Sequence, residues 1–505
     1  MTPVLPAFAG HVPADLKDIY PDEEIMKTGS WGGFDDRYGT YYLHPQSPLF
    51  AKIQRLFIEK QTELFGTDHI YGIDAFNEVD SPDWSTSFLS KVGRSIYSSL
   101  SSVDPQARWL MMAWLFYYDK KHWTPERIEA FLTAVPQDRL ILLDYFCDKT
   151  ELWRETQAFH GQPYIWCYLG NFGGNTWLCG HLQDTYDKLQ KAWDSPTPPA
   201  GIGGTLEALD VNMVAHEYTL SQAWTPAPTP QEWVTNWARM RGGVQDAKVI
   251  EAWKLLESGP YRHPSTGSQS VLIHATPSLQ GFSGWSTVPT YGYSDLDLAQ
   301  AWHLLLTAKV DLTPAHQYDI VNVGRQLLGN LFIAYRDSLA AAYESKDLPR
   351  TRLCARQMMQ LISDYDTLLS YDPHFLLSTW LRYAREMGAG DEALADYYER
   401  NARSIITVWG ESGKQLRDYA NRGWSGLVKS FYAPRWQLFA DALITSLEQR
   451  SPFDEAAFKA QIHNFEEEWR RSTSPIEYTV PTRPLKEYAL QLYDTYFASM
   501  HGESH

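Results

Sequence analysis

The rhythm of hydrophobic positions changes about halfway along the chain. Up to residue 225, short apolar runs alternate with amphipathic stretches. The runs are Val4–Ala9, His69–Phe76, Trp109–Phe116, Leu140–Phe146, Tyr164–Leu169 and Gly201–Leu206. Nearly continuous runs of this length predict strands buried on both faces. Between them, Ser47-Pro48 and Thr124-Pro125 predict helix starts, each with a capping hydroxyl before a proline at the first helical position. Strand, helix, strand at about 30-residue spacing is the pattern of parallel βα units.

The segment Thr225-Pro-Ala-Pro-Thr-Pro-Gln231 has the composition of a linker or domain-entry loop. Beyond it helical periodicity dominates. Phe458, Ile462, Phe465 and Trp469 step by four, three and four and share one helix face. Leu376, Leu377, Trp380, Ala384 and Met387 do the same between Pro373 and Gly388. The prediction is an α/β fold: a (β/α)8-type, TIM-like barrel over residues 1–228, then an all-α-helical domain over 229–505 that contributes to the active-site cleft. A closed barrel needs eight strands, and the runs supply two fewer. The barrel is therefore expected to lack its first two strands, with a missing N-terminal segment or a partner chain completing it.

Charge narrows the classes of partner. The 505 residues carry 44 Lys and Arg against 61 Asp and Glu, a formal charge of -17. Such a field repels phosphate backbones, so no nucleic-acid partner is expected. No apolar run approaches the roughly 20 residues of a membrane helix, so no membrane partner is expected either. The start lacks a basic stretch before its apolar residues and does not read as a signal peptide. The chain reads as cytoplasmic as it stands, and as secreted, periplasmic or lysosomal if a segment precedes it. Cys147, Cys167, Cys179 and Cys354 are too few for a disulfide scaffold and are expected to be buried as small hydrophobes. The 20 Trp, 30 Tyr and 21 Phe predict a large aromatic core, and add modest weight to sugar binding, because the C–H face of a sugar stacks on a flat ring.

Two strand ends bear acids: Tyr71-Gly-Ile-Asp-Ala-Phe-Asn77-Glu78 and Gly203-Gly-Thr-Leu-Glu207. Glycoside hydrolysis needs one carboxyl to protonate the leaving oxygen and one carboxylate to attack the anomeric carbon or activate water. In barrels such residues come from the C-terminal ends of different strands, so Glu78 and Glu207 could converge there. Asn171-Phe-Gly-Gly-Asn175 lacks the Lys-Ser/Thr of a phosphate-binding loop and is expected on the substrate side. His216-Glu217 begins like a zinc motif, but Leu220 stands where the second His is needed, so no metal is expected. Asp74, Asp119 and Asp144 could contact substrate, but are expected instead to pair with a neighbouring Arg or cap helices, and Glu466–Arg471 to form a solvated helix face.

Longer motifs carry a resemblance. Pro3-Val-Leu-Pro-Ala-Phe-Ala-Gly-His-Val-Pro13, Gly29-Ser-Trp31-Gly, Phe65-Gly-Thr-Asp-His-Ile-Tyr-Gly-Ile-Asp-Ala-Phe-Asn-Glu78 and Gln162-Pro-Tyr-Ile-Trp-Cys167 resemble the alpha-N-acetylglucosaminidases of glycoside hydrolase family 89. So do Asn171–Asn175, Asp418-Tyr-Ala-Asn421 and Tyr432-Ala-Pro-Arg-Trp436, in order over essentially the whole chain. The resemblance implies an exo-acting retaining hydrolase that removes terminal alpha-linked N-acetylglucosamine through a covalent glycosyl-enzyme, without a cofactor. It places Glu78 on the general acid/base and Glu207 on the nucleophile. Trp31, Asn77 and Trp114 fall on positions lining the sugar pocket, with Asn171 from the glycine loop. Trp409 and Tyr419 fall where the helical domain reaches over that pocket.

The chemistry agrees with that assignment. In an alpha-linked glucosaminide the 2-acetamido group lies cis to the leaving oxygen and cannot attack from the opposite face. The enzyme must then supply its own nucleophile, and retention implies carboxyls about 5–5.5 Å apart. Two departures stand out: Gly170 where many relatives have His, and Ala208 where Gly is common. Gly170 leaves room for a different sugar specificity. The alternative to a hydrolase is a truncated or inactive barrel fragment that binds sugar without cleaving it.

Overall fold

The computed structural model describes residues 1–29, 31–32, 34–208, 211–224, 227–263, 270–274, 276–279, 291–409 and 416–498. Ser30 of the Gly29–Gly32 motif, and Thr225 and Pro226 at the head of the predicted linker, lie outside them. The chain forms two compact units. The first comprises Met1–Leu169, Thr185–Thr205 and Thr219–Thr225, and the second Gly170–Asp184, Leu206–Tyr218 and Pro226–His505.

Nine strands lie in the first unit among the described residues: β1 (Leu5–Pro6), β2 (His11–Val12), β3 (Ile25–Lys27), β4 (Tyr41–Leu43), β5 (Ile70–Gly72), β6 (Arg108–Met112), β7 (Leu140–Asp144), β8 (Tyr164–Tyr168) and β9 (Gly201–Gly204). Six of them pair in parallel, in the order β1-β5-β6-β7-β8-β9. Each corresponds to one predicted apolar run. Burial on both faces is most complete at the central strands β7 and β8, whereas β6 alternates and glycine-rich β9 is half-buried.

Helices connect these strands. Pro48–Phe65 starts as expected, with the Ser47 hydroxyl accepting the Leu49 N–H at 2.9 Å, and stops at Gly66, whose φ of +73° suits a residue without a side chain. The Thr124 hydroxyl departs from prediction. It donates to the Glu126 carboxylate at 2.8 Å and makes no cap bond, although Pro125 still opens the helix Pro125–Leu132.

Two further differences have clear causes. The run Trp109–Phe116 is not one strand: it turns at Ala113, and Trp114–Tyr118 is a short helix. Strands β2, β4 and β3 form a separate antiparallel sheet. At two or three residues each they are too short to express a period of two.

The second unit is helical, with Pro230–Ala238, Ala247–Ser258, Asp295–Thr307, Pro314–Glu344, Leu348–Leu369, Leu377–Glu386, Glu392–Ile405, Ala433–Glu448, Glu455–Arg471 and Leu485–Tyr496 as its main elements. Thr229 opens the first with a reciprocal capping box to Glu232. Both units rest on large buried aromatics whose indole N–H groups find carbonyls: Trp109 donates to Ile73 at 2.7 Å, Trp302 to Ile320 and Trp436 to Leu272, both at 2.8 Å. All four cysteines are buried as thiols. No helix among the described residues is long and apolar enough to cross a membrane.

The expected solvated face at Glu466–Arg471 is corrected at its first residue. Glu466 is fully buried, on the same face as Ile462 and Trp469. Its carboxylate meets Arg417 (Nε at 3.1 Å) and Arg435 (Nε at 3.5 Å). A carboxylate excluded from water must be paired, and two guanidinium groups do so here.

Candidate active site

Glu78 follows β5 in the first unit. The backbone there is bent into the left-handed region at Phe76 (φ +58°) and at Glu78 itself (φ +53°). Such values cost energy in residues with side chains and gather at functional positions. Both carboxylate oxygens accept indole N–H groups: Trp114 donates to Oε1 at 2.7 Å and Trp31 to Oε2. Trp114 opens the short helix after β6 and packs edgewise on Tyr145, with ring centres 5.7 Å apart. Trp31 sits in an exposed loop, stacked on Phe34. Asn77 is half-buried, and its side-chain oxygen is fully buried with no hydrogen-bond donor among the described residues. Thus Trp31, Trp114 and Glu78 meet, with Asn77 adjacent in the chain.

Glu207 belongs to the second unit and is held differently. Its Oε2 accepts the backbone N–H of Gly173 at 2.5 Å and the Tyr419 hydroxyl at 2.6 Å. The loop that supplies the N–H depends on glycine. Gly173 and Gly174 have φ of +64° and +66°, and a Cβ at Gly173 would lie on the Tyr419 carbonyl oxygen. A Cβ at Gly174 would run into that of Ala208. Asn175 fastens the loop by donating to the Tyr419 carbonyl at 3.1 Å. Asn171 is buried, and its amide donates to the Asn175 carbonyl at 3.1 Å, so it braces the loop from within.

Tyr419 is itself anchored. Asp418 before it (φ +63°) is clamped by the buried Arg435 through two bonds of 2.9 and 3.0 Å, and Arg435 also reaches Glu466. Burial alone would disfavour the guanidinium charge, but Asp418 and Glu466 hold its pKa above the ordinary value. A chain of buried charges therefore fixes the phenol that touches Glu207. The Trp409 ring meets Tyr419 edge-on at 5.2 Å, from a backbone with φ of +51°. The motifs Asp418–Asn421 and Tyr432–Trp436 were visible in sequence, but the bond between them was not. Glu466, the third member, carried one signal: it stands four residues after Ile462, on the apolar face.

Three strand-end acids of the first unit have local duties. Asp144 is buried and accepts the N–H groups of Leu152 (3.2 Å) and Trp153 (2.9 Å), starting the next helical turn; burial pushes its pKa up to about 7. Asp74 accepts the Met112 N–H at 2.7 Å, and burial pushes it up to about 6. Asp119 bonds the His122 imidazole at 2.7 Å. With Asp80, these two residues offer oxygen and nitrogen atoms within 4.8 Å of one another, the one cluster among the described residues with the donors for a metal ion. Sequence reasoning missed it, although the i,i+3 spacing of Asp119 and His122 was a weak cue.

Comparison with known proteins adds the family. Residues 1–226 match the model of the alpha-N-acetylglucosaminidase (NAGLU) tim-barrel domain, and residues 233–494 that of the NAGLU C-terminal domain. Human alpha-N-acetylglucosaminidase is 38% identical over 478 residues, covering 92% of this chain and 63% of that protein. A family 89 glycoside hydrolase from Clostridium perfringens in complex with PUGNAc superposes with a TM-score of 0.87 at 25% identity, over 99% of this chain and 57% of that one. A second C. perfringens structure, in complex with its substrate GlcNAc-alpha-1,4-galactose, gives 0.89 at 24% identity, over 100% of this chain and 57% of that one. The chain thus spans less than two thirds of the length of each of these relatives.

Proposed function

The chain belongs to the alpha-N-acetylglucosaminidase family, and from that premise we propose that it is an exo-acting retaining glycoside hydrolase that removes terminal alpha-linked N-acetylglucosamine by double displacement. Glu207 is the nucleophile and Glu78 the general acid/base. The observation that carries this reading is the way the two acids are held. Each is bound by residues expected to line a sugar pocket, and each in a manner suited to a different role.

A nucleophile must present one oxygen along a fixed line. Glu207 receives two donors on Oε2, which leaves Oε1 for attack on the anomeric carbon. The same two donors then receive the carbonyl oxygen of the glycosyl ester. A general acid must exchange a proton with the glycosidic oxygen. Once Glu78 carries that proton, only one of its oxygens remains a good acceptor. One of the two indole contacts then gives way to the leaving group, and the exposed Trp31 is the more easily displaced. In the second step Glu78, now ionised, takes a proton from the attacking water. Trp31, Asn77, Trp114, Trp409 and Tyr419 act as sugar-contacting residues in this scheme, with Asn171 holding the loop that positions Gly173.

Azide rescue tests both roles. Glu207→Ala should lose aryl alpha-N-acetylglucosaminide hydrolysis by roughly four orders of magnitude, and azide should restore turnover with a beta-glycosyl azide as product. Glu78→Ala should keep activity on substrates with good leaving groups, and azide should give the alpha-glycosyl azide. If Glu207→Gln retained near-full turnover, or if the two azide products were exchanged, the assignment would fail.

A further inference from the structure

Behind the loop that serves Glu207, the second unit encloses a small cavity of about 20 Å³. That is room for one water-sized occupant. Its walls include Trp177, Trp237, Trp253, Arg241, Asp319 and Arg325. The makeup of this wall is unusual. The Trp177 and Trp237 side chains are more than nine-tenths buried, and their indole N–H groups have no acceptor among the described residues. Leaving a buried N–H unbonded costs about 1–3 kcal/mol each, so two on one small cavity point to a missing acceptor.

The charges agree. Arg241 is paired bidentately with Asp319, with both bonds at 2.7 Å. Arg325 is more deeply buried, and its hydrogen bonds go only to neutral oxygens: Asn322 Oδ1 at 3.2 and 2.8 Å, and the Thr176 hydroxyl at 3.2 Å, with the Phe375 ring 5.0 Å from its guanidinium carbon. It has no carboxylate within ion-pair distance among the described residues. These three bonds use three of the five N–H groups of a guanidinium. The Trp253 indole lies beside Asp319, but its N–H makes no hydrogen bond of normal geometry among the described residues. The nearby Asp372 carboxyl, which acts on Asp319 from outside the pocket wall, is engaged by the His374 imidazole at 2.8 Å. The lining therefore carries two cations and one anion, and a buried cation without a partner is costly.

We propose that this cavity is a binding site for one small monovalent anion of halide size, held by the Trp177 and Trp237 indole N–H groups and neutralising Arg325. Water is a poorer occupant, because it must both donate and accept where donors predominate and it cancels no charge. Larger oxyanions and carboxylates exceed the space. Occupancy would stiffen the wall segment that continues from Asn175. The Trp177 carbonyl in that segment accepts the Asn212 amide at 2.9 Å, and Asn212 follows Glu207 by five residues. The inference does not depend on the proposed hydrolysis.

Chloride and bromide are the probes. For the full chain at constant ionic strength, replacing sodium gluconate by sodium chloride should raise Tm saturably, by about 2–4 °C. Crystals grown in bromide should show an anomalous peak between the two indoles. Trp237→Phe, which keeps the ring but removes one donor, should lose most of the chloride-dependent shift, and Trp177→Phe the same. A Tm indifferent to the halide, or a bromide crystal with only water in the cavity, would overturn the proposal. A shift as large in both Phe variants as in the parent would do so too, since it would mark a non-specific salt effect.

Discussion

The surroundings of Glu78 and of Glu207 solve one problem in opposite ways. Glu78 is gripped by two side-chain donors, one of them on an exposed indole, and its own backbone is bent to reach them. Glu207 is gripped by a backbone N–H and by a phenol that a buried ion chain holds from behind. Side-chain donors swing away at the expense of a rotamer. A main-chain donor moves only if its loop moves. A carboxyl that must alternate between giving and taking a proton suits the first setting, and one that must attack along a fixed line suits the second.

That contrast is tested most severely at Arg435. Arg435→Met takes from Asp418 the buried cation that clamps it and leaves Glu466 with Arg417 alone, and removing one partner of a buried ion pair costs about 3–5 kcal/mol. Denaturant unfolding should show a drop of this order, and any folded residue of protein should have lost hydrolysis. Next comes Gly173→Ala. With φ of +64° and the Tyr419 carbonyl in the way, the loop must shift and withdraw its N–H from Glu207. The expected loss in kcat is about 100-fold, the scale of a deleted oxyanion donor, with KM little changed.

Trp31→Phe should be milder. It keeps the stacking surface but deletes one donor to Glu78, and steady-state kinetics should show a fall of about ten-fold or less. If Trp31→Phe proved as damaging as Gly173→Ala, the idea that the two grips differ in rigidity would be lost. The smallest effect concerns stability. Asp144 has its pKa raised from 3.8 to about 7 by burial, so between those values the folded state binds more protons than the unfolded one. Stability contributed by this group is full below about pH 4 and falls as pH rises toward 7. Asp144→Asn should flatten that slope in pH-dependent melts. A variant whose slope matched that of the parent would show that Asp144 does not titrate in this window.

Much of the first unit was legible because its parallel strands sit inside nearly continuous apolar runs, and six runs became six parallel strands. What escaped was short or depended on partners. The strands β2, β3 and β4 are too brief to show a period, and the end of β6 was hidden because Ala113 interrupts the run without a polar residue. The Thr124 hydroxyl chose Glu126 over its own helix, a local competition that composition does not rank. In the second unit the apolar stripe of Glu455–Arg471 was visible. The burial of Glu466 was not, because it depends on Arg417 and Arg435 arriving from elsewhere in the chain. For the candidate site, the motifs pointed to residues that the structure gathers around Glu78 and around Glu207. They did not show that Asn171 props a loop, nor that Asp418 serves Tyr419 by binding Arg435.

The contact between Gly174 and Ala208 has a consequence for natural variation. The space between them holds a single methyl group, and Ala208 already fills it. Position 174 is closed to every side chain: its φ is +66°, and a Cβ there would also lie 2.8 Å from the Arg422 guanidinium. A bulkier residue beside Glu207 would therefore require the whole glycine turn to be rebuilt.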